Sequence, residues 1–184
     1  ISRRSFIGKS ATGIGLGFMG TLPAQSRSSQ ISSLNREKLR RGVKVASVDI
    51  QHLYPEVSIE SRIKKMLDRM EKAVGYQPDI MCLMETFNTS YVDEKKSYDE
   101  IAEDESVPGP VTTMIADFAS KHNCYIICPI VTRDGGRFYN SAILLDRNGS
   151  ISGAYHKVHP VDSEIQEGKG IIPGPIRPPV FETD

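Results

Sequence analysis

The stretch from Asp79 to Phe87 constrains the fold more than any other part of this chain. Five apolar residues, Ile80 to Met84, run without a break and stop at Glu85. An unbroken apolar run of that length is the pattern of a central strand buried on both faces, typical of a parallel sheet. A carboxylate at the mouth of such a strand is partly desolvated, so it has to be paired, bound to a metal or held ready to take a proton. The alternative is an ordinary strand end in solvent.

The neighbouring segments predict what surrounds that strand. Val43, Val45, Ala46, Val48 and Ile50 mark an earlier strand rich in β-branched residues. Ile59, Ile63, Met66, Leu67, Met70 and Val74 then repeat at helical spacing, with Ser58 as N-cap and Gly75 as stop. Strand, helix and strand make a βαβ unit, so the two strands should be parallel neighbours with the helix on one face. Asn88 to Pro110 is polar and acidic and reads as a long surface loop, with room for a short helix, of the kind that lines or covers a site. Val111, Ile115, Phe118 and Ala119 predict a second helix closing near Asn123, a residue that tolerates the left-handed conformation. A strand comes next at Tyr125 to Thr132, where Pro129 predicts an edge or a bulge. Asp134-Gly135-Gly136 and Arg147-Asn148-Gly149 are turns leading into strands at Tyr139 to Leu145 and Ile151 to His156. The chain thus passes from βαβα into antiparallel hairpins, a mixed α/β layer arrangement.

Composition enters through what it excludes. Lys plus Arg at 23 balance Asp plus Glu at 23, leaving no electrostatic footprint for nucleic acid or an anionic membrane. No segment is long and apolar enough for a mature membrane span. At 184 residues, one core and one domain are the default. Cys82, Cys124 and Cys128 have neither zinc-site nor disulfide-framework spacing. Cys124 and Cys128 would stand about 13 Å apart along one strand, too far to bridge, so all three read as small core residues. At the front of the chain, Ser2-Arg3-Arg4-Ser5-Phe6-Ile7, the weakly apolar run Ala11 to Leu22, and Pro23-Ala24-Gln25-Ser26 resemble a twin-arginine export signal. Gly15 to Gly20 satisfies a GxGxxG pattern but follows no strand, and carries no dinucleotide reading. The expected organisation is an export signal over residues 1–26, a linker over 27–42 and a domain over 43–184, acting in the periplasm or outside the cell.

A second group of chemistry-bearing residues, Tyr155-His156-Lys157-Val158-His159, closes the last strand. Lys157 leaves an extended segment flanked by rings, where its ammonium would be partly desolvated and aimed at an anion; an exposed strand-end lysine fits the same pattern. His156 and His159 have weak metal-ligand spacing and no carboxylate motif beside them.

Taken in order, Val43-Lys44-Val45-Ala46, Asp79 to Phe87, Tyr139-Asn140-Ser141-Ala142, Tyr155 to His159 and Glu167 to Gly174 resemble the N-terminal part of the nitrilase superfamily of carbon-nitrogen hydrolases. The resemblance implies an α/β fold, the αββα sandwich of the nitrilase type, of which this chain holds the N-terminal part only. It implies hydrolysis of a small amide or carbamoyl substrate by a Glu-Lys-Cys set, with no metal or organic cofactor, in a homo-oligomer when full length. Glu85 stands where the family has its general base. Lys157 stands where the family has the residue that stabilises the tetrahedral intermediate, with His156 replacing the more usual arginine beside it. Glu167, seven residues before Gly174, matches a second, positioning glutamate, and Glu164 competes for that place. The nucleophilic cysteine is expected beyond Asp184, because Cys82, Cys124 and Cys128 fall where the family has core residues.

These residue types belong together for a chemical reason. A cysteine attacks as the thiolate, so a nearby carboxylate must take its proton and later activate water. The oxyanion that develops needs a fixed positive donor, an interaction contributing on the order of 3 kcal/mol. Two other readings compete. A metal-dependent phosphoesterase of the endonuclease/exonuclease/phosphatase type also ends a strand on glutamate, in a segment similar to Leu83-Met84-Glu85-Thr86. It wants an asparagine where this chain has Asp49-Ile50-Gln51, and it leaves Lys157 and the Glu167 segment without a role. A non-catalytic exported binding protein would use the acidic Asn88 to Pro110 loop as its contact surface.

Overall fold

The computed structural model describes residues 42–50, 58–89, 97–166 and 170–184. The chain divides at Gly42–Val43, and every described strand and helix belongs to the second unit, Val43–Asp184. The expected export signal and, Gly42 apart, the linker lie outside the described residues.

The βαβ unit forms as its pattern predicts. Strand β1 (Val45–Val48), helix α1 (Ile59–Val74) and strand β2 (Ile80–Leu83) succeed one another, and the strands pair in parallel with Val45 opposite Ile80 and Val48 opposite Leu83. Ser58 caps α1 with its hydroxyl oxygen, which accepts from the Ser61 N–H at 3.2 Å. Gly75 ends the helix in right-handed geometry (φ −57°), and the left-handed reversal falls two residues later on Gln77 (φ 52°). The stop at Gly75 is therefore not a glycine requirement of the backbone.

The remaining elements are α2 (Tyr98–Ile101), β3 (Glu103–Asp104), α3 (Pro110–His122), β4 (Tyr125–Asp134), β5 (Arg137–Leu145), β6 (Ile151–His156) and α4 (Asp162–Gln166). The sheet runs β1-β2-β4-β5-β6, with β3 also paired to β4. The first three strands on this path are parallel and the last two antiparallel. Gly135 and Gly136 take positive φ (54° and 78°) in the two-residue turn between Asp134 and Arg137, a conformation that glycine adopts without a Cβ clash. Asn123 ends α3 in the left-handed region, as its side chain allows.

Helices α1 and α3 cover one face of the sheet. Met66 and Met70 from α1, and Ile115, Phe118 and Ala119 from α3, pack with Met81, Leu83, Ile126, Cys128, Ile130, Ile143 and Leu145 in one core. These strand residues alternate along their strands and so share a face. Cys82, Ile127 and Ala142, on the opposite face, are only half-buried. That helix-on-sheet pair forms two layers of the expected αββα sandwich, and the described residues hold one sheet.

Pro129 does not mark an edge strand, because β4 has β5 along one side and both β2 and β3 along the other. On that second side β2 pairs with Tyr125 to Ile127 and β3 with Thr132 and Arg133. Pro129 sits in the gap between them, where no ladder hydrogen bond is lost for want of an N–H. Of the acidic segment, residues 90–96 lie outside the described residues, and 97–110 hold the short helix for which the sequence left room, α2, followed by β3. Glu103 is buried, and its carboxylate accepts from the Val111 N–H (2.6 Å), the Thr112 N–H (2.8 Å) and the Thr112 hydroxyl (2.6 Å) at the start of α3. It caps a helix whose N-cap residue, Gly109, has no side chain to do so.

Glu103→Ala should lower stability by about 2 kcal/mol or more, since it strips charge-assisted bonds from buried donors. Glu100→Ala, which removes only an exposed bond from the Ser97 N–H (3.1 Å), should cost about 1 kcal/mol or less. Urea unfolding of the two variants separates them; equal midpoints would sink the capping role of Glu103.

Candidate active site

The carboxyl ends of the parallel strands are where an open α/β sheet usually places its chemistry, and Glu85 leaves β2 at that end. The turn beyond it is held firmly. Thr86 adopts φ 43°, an uncommon conformation for a β-branched residue, while Phe87 and Asn88 are buried behind it. Arg62 of α1 is buried too, and its Nε donates to the Phe87 carbonyl at 2.7 Å. Sequence reasoning passes over Arg62, although position 62 lies on the same helical face as Ile59, Met66 and Met70.

Lys157 comes directly after β6 and is fixed on both sides of its own backbone. Its N–H donates to the Asn140 carbonyl (2.8 Å), and its carbonyl accepts from the Gly174 N–H (2.9 Å). A Cβ at position 174 would stand 2.4 Å from the His156 carbonyl oxygen, so only glycine allows this segment so close to β6.

These anchors bring together residues distant in the chain. The Lys157 ammonium donates to Glu85 Oε1 at 2.9 Å and to Glu164 Oε2 at 3.0 Å. Asn140 Nδ2 donates to Glu85 Oε1 and to Glu164 Oε1, both at 2.7 Å. Glu164 Oε2 also accepts from the Val161 N–H at 2.7 Å. Glu85 and Lys157, which the sequence pairs only through a resemblance, are therefore in direct contact. Glu167 lies outside the described residues. Glu164, its competitor, is the second carboxylate at Lys157. Asn140 belongs to one of the motifs that carry the resemblance, but the sequence alone gives it no role; a polar Asn140-Ser141 pair just before the apolar run Ala142 to Leu145 is the available signal.

Solvent reaches the cluster unevenly. The Lys157 and Glu164 side chains are 26% and 17% exposed, but that of Glu85 is 59% exposed. The carboxylate expected to be partly desolvated at the strand mouth is thus more than half in water within these 184 residues. Burial alone would lower the Lys157 ammonium, but the bonds to Glu85 and Glu164 outweigh it and hold the group above its usual range. Burial likewise pushes the Glu164 carboxyl up, and the bonds from Asn140, the Val161 N–H and Lys157 overcome it and hold the carboxyl below its usual range.

The other candidates fall into different roles. His156 stacks on Tyr139 (centroids 3.9 Å apart, 14° between planes) and meets the Glu105 carboxylate through Nε2, while His159 is exposed. The two histidines do not converge on a common point, and among the described residues no three His, Cys, Asp or Glu gather in a way that fits a metal ion. Cys124 and Cys128 are buried and Cys82 half-buried, all as free thiols. Burial pushes the thiols of Cys124 and Cys128 up, which suits core residues and not nucleophiles.

With the geometry in view, comparison with known proteins decides the family. Residues 44–184 match the family described as carbon-nitrogen hydrolase. The chain belongs to that family. Among curated relatives, a beta-ureidopropionase of Arabidopsis thaliana is 32% identical over 111 residues, covering 57% of this chain and 27% of its own length. A nitrilase of Pyrococcus abyssi is 34% identical over 121 residues, covering 64% of this chain and 44% of its own. This carbon-nitrogen hydrolase chain thus spans less than half the length of either. The crystal structure of an amidase from Nesterenkonia sp. matches the fold with a TM-score of 0.61 at 16% identity, over 77% of this chain and 51% of that one. The family match leaves the phosphoesterase reading without support, and the glutamate it would give to a metal is bonded to an ammonium.

Lys157→Met should test the charge balance. Two carboxylates sharing one set of donors would lose their cation, so the variant should be less stable than the parent by about 1 kcal/mol at pH 7, solvent at Glu85 limiting the loss. The deficit should shrink as pH falls through the carboxylate range, because protonation relieves the repulsion. The parent should move the other way: Glu164, held low in the fold, contributes stability above its unfolded value that is lost as pH falls through the folded one. Urea midpoints from pH 7 to pH 3 check both; parallel curves for parent and variant would contradict the coupling.

Proposed function

We propose that this chain is part of a hydrolase of non-peptide carbon-nitrogen bonds, acting on an amide or carbamoyl substrate through glutamate, lysine and a cysteine thiolate. The observation that carries the reading is the Lys157 ammonium 2.9 Å from Glu85, across 72 residues of chain, in a member of the carbon-nitrogen hydrolase family. A carboxylate and a cation so placed have the two properties the reaction asks for. Glu85, the most exposed member of the cluster, accepts the thiol proton as sulfur attacks the carbonyl carbon. Lys157 has three N–H donors. Two are engaged by Glu85 and Glu164, and the third stabilises the oxyanion of the tetrahedral intermediate.

Collapse of that intermediate breaks the C–N bond, and the proton held on Glu85 leaves with the amine. Water then attacks the thioester, giving its proton to Glu85, and the thiol is re-formed as the acid is released. The second, positioning glutamate is Glu167 by its spacing to Gly174 and Glu164 by its contact with Lys157. In this reading the nucleophile is none of the three cysteines of these 184 residues, since Cys82 lies within β2 and Cys124 and Cys128 are buried thiols whose ionisation burial opposes. The beta-ureidopropionase relative supports a carbamoyl or amide substrate, and the nitrilase relative makes a nitrile the competing class. Arg3-Arg4 and the apolar run behind them support export by the twin-arginine route.

In the full-length protein, ammonia release from a panel of amides and N-carbamoyl compounds should fall about 10²–10⁴-fold in Glu85→Gln and about 10²–10³-fold in Lys157→Ala. Near-UV circular dichroism should be unchanged and a chelator without effect. Of Glu164→Gln and Glu167→Gln, the one with the larger loss is the positioning glutamate. Activity surviving in both Glu85→Gln and Lys157→Ala would end the hydrolase reading. For export, the paired substitution Arg3→Lys and Arg4→Lys should retain the protein in the cytoplasmic fraction; unchanged fractionation would remove the twin-arginine assignment.

A further inference from the structure

Asn140 is the least exposed member of the polar cluster, at 5%. It sits on β5 opposite Val131 of β4, and its main chain and side chain act on the same group of residues. The carbonyl receives the Lys157 N–H, and the amide nitrogen reaches both carboxylates. The orientation of the amide is fixed by its surroundings. Facing two carboxylates, only the NH₂ end has donors to offer, and the oxygen end would repel both.

We propose that Asn140 is a positioning residue: by giving one N–H to Glu85 and the other to Glu164, it holds the two carboxylates at a fixed separation on either side of the Lys157 ammonium. Among the side chains that fit this volume, only asparagine offers two divergent N–H groups without adding a charge. Serine has one donor, and aspartate would place a third carboxylate among two. Lys157 and the Val161 N–H both engage Glu164 through Oε2, which leaves rotation about that oxygen, and Lys157 engages Glu85 through Oε1. The second bond from a buried, strand-borne amide removes that freedom before any substrate arrives. Close by on β5, the hydroxyls of Ser141 and Thr132 of β4 are paired at 2.6 Å, fixing the strand segment from which Asn140 projects. The catalytic consequence rests on the proposed hydrolase activity; the geometric claim does not.

Two readouts separate the geometric claim from the catalytic one. Carboxyl titrations of Glu85 and Glu164 are followed by ¹³C NMR in the folded protein, in the parent, Asn140→Ala and the isosteric Asn140→Asp. The Glu164 midpoint should rise in Asn140→Ala, which loses its two donors, and rise further in Asn140→Asp, by about one pH unit or more, as a third carboxylate joins the cluster. In the full-length protein, the acid limb of kcat/KM should move up by the same amount in Asn140→Asp. Asn140→Ala should lower kcat at least tenfold with KM little changed. Carboxyl midpoints that stay at parental values in both variants overturn the proposal. If the parent hydrolyses nothing in the panel, the hydrolase reading falls while the titrations still decide the role of Asn140. Should Asn140→Ala fail to fold, Asn140→Asp, which keeps the volume, tests the same claim.

Discussion

Two carboxylates that share the same donors repel each other, and the site holds together only because an ammonium and an amide stand between them. Glu85 and Glu164 each accept from Lys157 and each accept from Asn140, a four-membered arrangement with one net negative charge. Such a cluster is a poor way to gain stability, since half-exposed ion pairs contribute little and the buried side carries a desolvation cost. Its value lies in geometry. Every polar group has at least two bonds to others of the set, so moving one disturbs all.

The backbone beneath the cluster is arranged to resist such movement. Thr86 occupies a left-handed conformation that a β-branched residue rarely adopts, and the burial of Phe87 and the Arg62 bond to its carbonyl hold it there. Across the site, the chain at Gly174 runs against β6 at a distance no other residue permits, and its N–H locks the Lys157 carbonyl. Strain on one side and a close backbone approach on the other both set the position of a polar side chain at the strand ends.

How much of this is legible in the sequence depends on which interactions are local. Helix α1, its Ser58 cap, the Gly135-Gly136 turn and the left-handed Asn123 depend on neighbours within a few residues, and they appear where the pattern puts them. The exceptions involve long-range partners. Pro129 reads as an edge or a bulge because a single strand does not reveal that β2 stops and β3 starts on either side of it. Arg62 is passed over and Glu103 reads as part of an acidic loop because the carbonyl and the helix start that they satisfy are 25 and 8 residues away. Glu85 is legible as a residue needing a partner, and the partners, Lys157 and Asn140, are 72 and 55 residues away. Lys157 is legible through its ring neighbours and a family resemblance. Asn140 stands in the same set of motifs and escapes notice, because an amide's importance depends on what its two hydrogens face.

The acidic segment before α3 shows the same principle in reverse. A run of carboxylates in a loop suggests a charged surface offered to a partner, yet several of these groups are spent on the fold itself. Glu100 accepts from the Ser97 N–H, Glu103 caps α3, and Asp104 accepts from the N–H and hydroxyl of Ser106 and the N–H of Val107. Glu105 meets His156, whose ring lies flat on Tyr139, and Tyr98 packs against Phe138 with ring centroids 5.8 Å apart. The segment therefore braces the start of β5 and the end of β6, the two places from which Asn140 and Lys157 project. Where the family more often carries an arginine beside the lysine, this chain has a histidine bonded to a carboxylate, and that pair ties the acidic segment to the strand that ends at Lys157.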